Sequence, residues 1–196
     1  FKPAEEGAEE RRAADLSGAK LAGTNLRFAD LRGSVRVAGL LAANLAGADM
    51  RSAQLSGAIL GGAQLQAAGL VEAELQGSEL DGAKLQGAFL DHAQLQGADL
   101  EDAQLQGASL DHAQLQGADL EDAQLQGASL EDADLRGADL TNADLAGVNL
   151  KNADLRGAIL TRANLEKANL ENADLRGAKF DRAVLTGVKL IGAKFS

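Results

Sequence analysis

The sequence predicts an all-β solenoid whose backbone turns a corner about every five residues. Three observations carry this. Nearly every fifth residue is leucine with alanine two positions before it, as in Ala93-Gln94-Leu95-Gln96-Gly97-Ala98-Asp99-Leu100-Glu101-Asp102. The chain holds 23 glycines, most of them closing a five-residue unit. A longer period overlies the first: residues 93–112 read AQLQGADLEDAQLQGASLDH, and 113–130 repeat them through AQLQGADLEDAQLQGASL.

A helix cannot use this pattern. Leucines five apart advance by about 140° around an α-helix and scatter over all its sides. Each interior glycine would also cost roughly 1 kcal/mol against alanine. A flat strand fails too, because side chains alternate with period two and an odd spacing sends successive leucines to opposite faces. All the leucines share one interior only if the chain bends at each unit. The twenty-residue repeat then makes four units one coil, and a square coil returns to its start and stacks on itself.

Each unit element has its place. The central leucine fills the interior, contributing about 1.5–3 kcal/mol when buried. The alanine two residues earlier also points inward, where only a small group fits. The other three positions face water, and glycine at the corner accommodates an unusual φ. Ordering five residues offsets much of that gain, so stability depends on stacking many coils.

The pattern A-(D/N/Q/S)-L-x-G resembles the pentapeptide-repeat proteins over residues 14–196. The resemblance implies a right-handed quadrilateral β-helix. Centres run Leu16, Leu21, Leu26, Leu31, then resume one residue out of phase at Val35, Leu40 and Leu45 and continue to Phe195. Counted this way the rod has about nine four-sided coils and is roughly 45 Å long.

Residues 1–13, FKPAEEGAEERRA, lack the repeat and read as a short helical cap over the first coil. Pro3 suits a first helical turn, with Glu5 and Glu6 near the N-terminus and Arg11 and Arg12 near the end. The phase slip near 32–36 reads as a bulged but packed segment, with a small loop between Leu31 and Leu40 as the alternative. At the other end the repeat stays in register. Phe180, Leu190, Ile191 and Phe195 are therefore candidates for self-association into a homodimer through the C-terminal coil, an analogy the family resemblance also offers.

The net charge of −10 is concentrated in the middle. Residues 72–144 carry 17 acids against Lys84 and Arg136, whereas 1–71 sum to +1 and 145–196 to +4. Stacking at twenty residues places Asp99, Glu101, Asp102, Asp119, Glu121, Asp122 and Asp139 on one side, the candidate interaction surface. The opposite side carries Asp91, Asp111, Glu131 and Asp132, and the two sides between them carry glutamine ladders. Farther along, Asp134, Asp154 and Asp174 stack beside Arg136, Arg156 and Arg176, and Asn149 over Asn169 and Asn152 over Asn172 should form amide ladders.

No chemistry of catalysis stands out. His92 and His112 share a corner one coil apart, but two imidazoles on a flat rod have no enclosing third ligand, so no native metal is assigned. Carboxylate pairs such as Glu101/Asp102 sit on a convex surface without the cleft that general acid catalysis needs. No cofactor is expected. Cysteine is absent, which excludes disulfides and thiolate metal sites. No apolar run is long enough to cross a membrane and no secretory signal is visible, so a cytoplasmic location is the default.

The sequence therefore points to a non-enzymatic rigid rod acting as a scaffold or protein-binding module. The alternative is a DNA mimic: the resemblance brings in the quinolone-resistance branch of the family, whose members bind DNA gyrase, a type II topoisomerase. The expected partner is a protein, including a DNA-binding enzyme on that alternative. Direct nucleic-acid binding is disfavoured by the sign of the charge and by the scarcity of aromatics.

Overall fold

The computed structural model describes residues 20–29 and 40–195. Among these the chain forms a β-helix with four sides per coil and no α-helix. The expected cap at 1–13 and the phase slip at 32–36 lie outside the described residues.

Each side contributes one parallel bridge to the coils above and below, because a five-residue unit that spends its remainder on a turn leaves one residue to pair. Four columns result. Face 1 runs through Lys84, Gln104 and Gln124, face 2 through Phe89, Ser109 and Ser129, face 3 through Gln94, Gln114 and Asp134, and face 4 through Asp99, Asp119 and Asp139. From Asn44 onward every partner is twenty residues away. Lys20 pairs with Asn44 and Asn25 with Asp49, so the first coil is 24 residues long. Face 1 is nine residues deep from Lys20 to Val184, roughly 40 Å at a strand spacing of about 4.8 Å.

The backbone accounting explains the period. Leu105 N–H donates to Gln124 O at 2.7 Å, and Gln124 N–H donates back to Ala103 O at 2.9 Å. Ala108 N–H closes the corner onto Leu105 O at 3.0 Å, and Gly107 N–H reaches Gln126 O in the next coil. Only the N–H of the residue after the leucine lacks a backbone acceptor. The third turn residue alone has positive φ, as a type II turn requires.

The core is the expected one. From Leu40 to Leu175 the unit centres and the small residues two before them are 0–2% exposed. Met50 and Val148 take a leucine and an alanine position, and Ser78 at an alanine position satisfies its hydroxyl on Leu75 O at 2.9 Å. Toward the C-terminus Phe180 is half-buried, whereas Leu185, Leu190 and Phe195 are exposed.

Glycine was expected at the corners, yet many corners do without it. Positive φ is held by glycine after faces 1 and 3 over most of the rod. After faces 2 and 4 it is held by His92, Asp102, His112, Asp122, Asp132 and Asn142 among others. Two edges of the rod therefore carry side chains and the two between them are largely bare backbone.

Candidate functional site

Face 4 brings the seven candidate carboxylates together, and they divide into three kinds by position. Asp99, Asp119 and Asp139 occupy the bridge position, where each spends an oxygen on the N–H that the backbone leaves over. Asp99 accepts from Glu101 N at 3.1 Å, Asp119 from Glu121 N at 3.0 Å, and Asp139 from Thr141 N at 2.9 Å. These aspartates hold the turn as well as charging the face. Asp102 and Asp122 stand at the corner with φ of 57°, a conformation aspartate tolerates better than most residues. Glu101 and Glu121 sit between them on the turn.

Among the described residues no Lys or Arg lies within 4.0 Å of any of these seven carboxylates. The electrostatic consequence falls on Glu101. Desolvation by its neighbours, then the charges of Asp102, Asp119, Asp99 and Glu121, raise its carboxyl above the ordinary value.

Face 3 is the contrast. Arg136, Arg156 and Arg176 each fork onto the aspartate two residues before them, with the shortest contacts at 2.6 Å. The Arg176 guanidinium holds Asp174 down to about 2. Desolvation works the other way on Asp134, but its bonds from Arg136 and Gln116 keep it below the ordinary value. Face 3 is thus charge-neutralised in its second half, and face 4 is not.

Face 2 is acidic but partly compensated. Asp91 and Asp111 accept the hydroxyls of Ser109 and Ser129, and Lys151 reaches Glu131 at 3.1 Å. His92 and His112 stack on the corner beyond it, ring centroids 4.8 Å apart and planes 6° from parallel. Among the described residues no group of three or more His, Asp or Glu is arranged to hold a metal ion. The expected amide ladders form, Asn169 donating to Asn149 at 3.2 Å and Asn172 to Asn152 at 3.3 Å.

Known proteins carry the same repeat. The family model described as pentapeptide repeats matches residues 12–35, 40–68, 58–97, 90–127, 123–162 and 158–196. The chain is a pentapeptide-repeat protein. As such it is a right-handed β-helix solenoid.

Among solved pentapeptide-repeat structures, HetL of the cyanobacterium Nostoc is 32% identical over 89% of this chain and 91% of its own, with a TM-score of 0.41. That protein is involved in regulating heterocyst differentiation. QnrB1, a plasmid-mediated fluoroquinolone resistance protein, is 16% identical over 90% of both chains and shares the fold with a TM-score of 0.70. A pentapeptide-repeat protein of the Arabidopsis thaliana thylakoid lumen is 36% identical over 53% of this chain and 68% of its own, with a TM-score of 0.41. No match was found among curated proteins.

The exposed end of the repeat is the second candidate. Ile191 is 76% exposed on face 2, and Leu190 and Phe195 are exposed at their unit centres beside the half-buried Phe180. One residue that sequence reasoning passed over is Phe89, an outward aromatic on face 2. The signal was available: the unit Ala88-Phe89-Leu90 breaks the polar rule that Ser109 and Ser129 obey in the same column.

Proposed function

We propose that this pentapeptide-repeat protein is a non-catalytic rod that binds a basic protein partner through face 4. One observation carries the reading: the carboxylate columns of Asp99/Asp119/Asp139, Glu101/Glu121 and Asp102/Asp122 have no cation of their own chain beside them among the described residues. A field left uncompensated steers a positive partner and is screened by salt. Enzymatic chemistry has no support, since the raised Glu101 owes its shift to a crowded open ladder and not to a cleft.

A second reading, mimicry of DNA toward a type II topoisomerase such as DNA gyrase, is favoured by charge density. Residues 91–110 and 111–130 each carry four carboxylates and no Lys or Arg. At about 4.8 Å per coil that is one charge per ~1.2 Å of rod, denser than the ~1.7 Å of duplex DNA. The belt from Glu72 to Asp144 is short, however, spanning some ~17 Å on the same spacing. It would occupy only part of a basic saddle.

The test must separate charge from turn structure. The variant carries Asp99→Asn and Asp119→Asn, which keep the turn bonds, together with Glu101→Lys, Asp102→Asn, Glu121→Lys and Asp122→Asn. Wild-type protein should inhibit gyrase supercoiling at low salt if the second reading holds, and the variant should not. Inhibition unaffected by the variant removes face 4 as the interaction surface. No effect of wild type at low salt removes the mimic reading and leaves the general one, for which capture of a basic partner must be lost in the variant.

A cytoplasmic location and a homodimer through Phe180, Leu190, Ile191 and Phe195 complete the proposal. Among the described residues no helix is long and apolar enough to cross a membrane. Light scattering decides the dimer, and a strict monomer at high concentration removes it.

A further inference from the structure

Phe89 stands out on a rod whose outward positions are otherwise polar through the acidic belt. It is 52% exposed and is the one large apolar side chain so exposed between Leu41 and Val184 among the described residues. Its cross-coil neighbours in the column are Gly69 and Ser109, so nothing of its own size stands on either side. A Cβ placed on Gly69 would meet Asp49 Oδ1 at 3.7 Å and Arg51 Cγ at 3.8 Å, and no ring atom of Phe89 is nearer.

The surroundings select what sits there. Asp91 follows Phe89 on the same turn, Glu72 and Asp111 lie on the flanking coils, and none of the three has a Lys or Arg within 4.0 Å among the described residues. An exposed aromatic ring on an acidic face suits a planar cation: the guanidinium stacks on the ring and its edge donates to a carboxylate. The same face already contains this arrangement in cis. Arg27 lies 5.3 Å from the centroid of Phe28 and 4.0 Å from Asp49. No cation of the described chain occupies the Phe89 ring.

We propose that Phe89 is an arginine-docking position on face 2, at which a basic protein segment stacks one guanidinium on the ring and donates from its edge to the carboxylate of Asp91. This deepens the reading of an acidic, protein-binding rod and rests on it. It adds a preference that charge alone does not supply, arginine over lysine, because an ammonium lacks the planar fork that serves both ring and carboxylate.

The experiment compares a deca-arginine with a deca-lysine peptide by titration calorimetry at low salt. Wild-type protein should bind deca-arginine more tightly than Phe89→Ser does by about two- to five-fold, the range of an exposed cation–π contact. Deca-lysine affinity should change less than that, which separates the contact from the general arginine preference of carboxylates. Serine is the residue this column holds at 109 and 129, and an unchanged circular dichroism spectrum and melting temperature certify the fold. Phe89→Leu keeps an apolar side chain without the aromatic face and should behave as the serine variant. Equal losses for both peptides, no loss with Phe89→Ser, or full retention with Phe89→Leu overturns the proposal. Binding of neither peptide to wild type overturns the underlying acidic-rod reading instead.

Discussion

Gln96 donates from Nε2 to Oε1 of Gln114, one coil on, at 2.6 Å. In the next coil Gln116 makes the same bond to a carboxylate, Asp134 Oδ2, at 2.6 Å. The difference lies in the other oxygen: Asp134 Oδ1 also accepts Arg136 N at 3.2 Å, whereas a glutamine is one methylene too long for that local turn. The glutamine ladders thus join coils while leaving the following N–H without a protein acceptor.

Shortening the acceptor should recover that bond. Gln114→Asp is expected to accept Gln116 N–H on one oxygen while keeping Gln96 Nε2 on the other, as Asp134 serves Arg136 N and Gln116 Nε2. The gain should be about 0.5–1 kcal/mol, read as a higher urea midpoint at unchanged slope.

The bare edges give a second prediction. Gly97 has φ of 63°, and a Cβ built there would meet nothing within 4 Å, so conformation alone demands glycine. Gly97→Ala should cost about 1 kcal/mol, and Gly97→Asn clearly less, because asparagine tolerates the left-handed region. Equal losses for both would mean that packing, not φ, selects the residue.

Acid titration should show a maximum. Glu101 is raised above 4.5, so the folded chain holds this proton more tightly than the unfolded chain, and stability grows as the pH falls toward about 4.5. Asp49 and Asp174 are lowered from 3.8 to about 2, so their contribution is complete above pH ~4 and is lost as the pH drops toward 2. The melting temperature should rise on mild acidification and fall below pH ~4. Glu101→Gln should raise it at neutral pH and flatten the upper limb.

Core truncations should depend on depth along the rod. Leu110 is 1% exposed and Leu190 is 40% exposed. Leu110→Ala should cost about 2–5 kcal/mol, and Leu190→Ala a small fraction of it. Comparable losses, measured by denaturant unfolding, would mean that Leu190 is covered in solution, as the proposed dimer requires.

The inward half of this molecule was legible because burial imposes a strict rule. Only leucine fills the coil centre, only a small residue fits beside it, and the twenty-residue copy fixes which side chains stack. Face 4 could therefore be written down from Asp99 and Asp119 alone. The outward half obeys no such rule. That Asp99 caps its own turn while the Glu101 side chain makes no hydrogen bond or ion pair among the described residues depends on side-chain length and backbone direction, which the repeat does not encode. The corner at His92 illustrates the same limit: the repeat placed His92 and His112 on a corner, but not that the corner holds them at positive φ. Phe89 was visible as a letter, but its isolation came from Gly69 and Ser109 meeting it across coils.

The constant register has one more effect. Removing residues 93–112, or inserting their copy, shortens or lengthens the rod by a single rise and leaves every residue beyond on the face it already occupies. Natural variation in such a molecule is therefore free to adjust the distance between two attachment points in fixed increments of ~4.8 Å while each point keeps its own face.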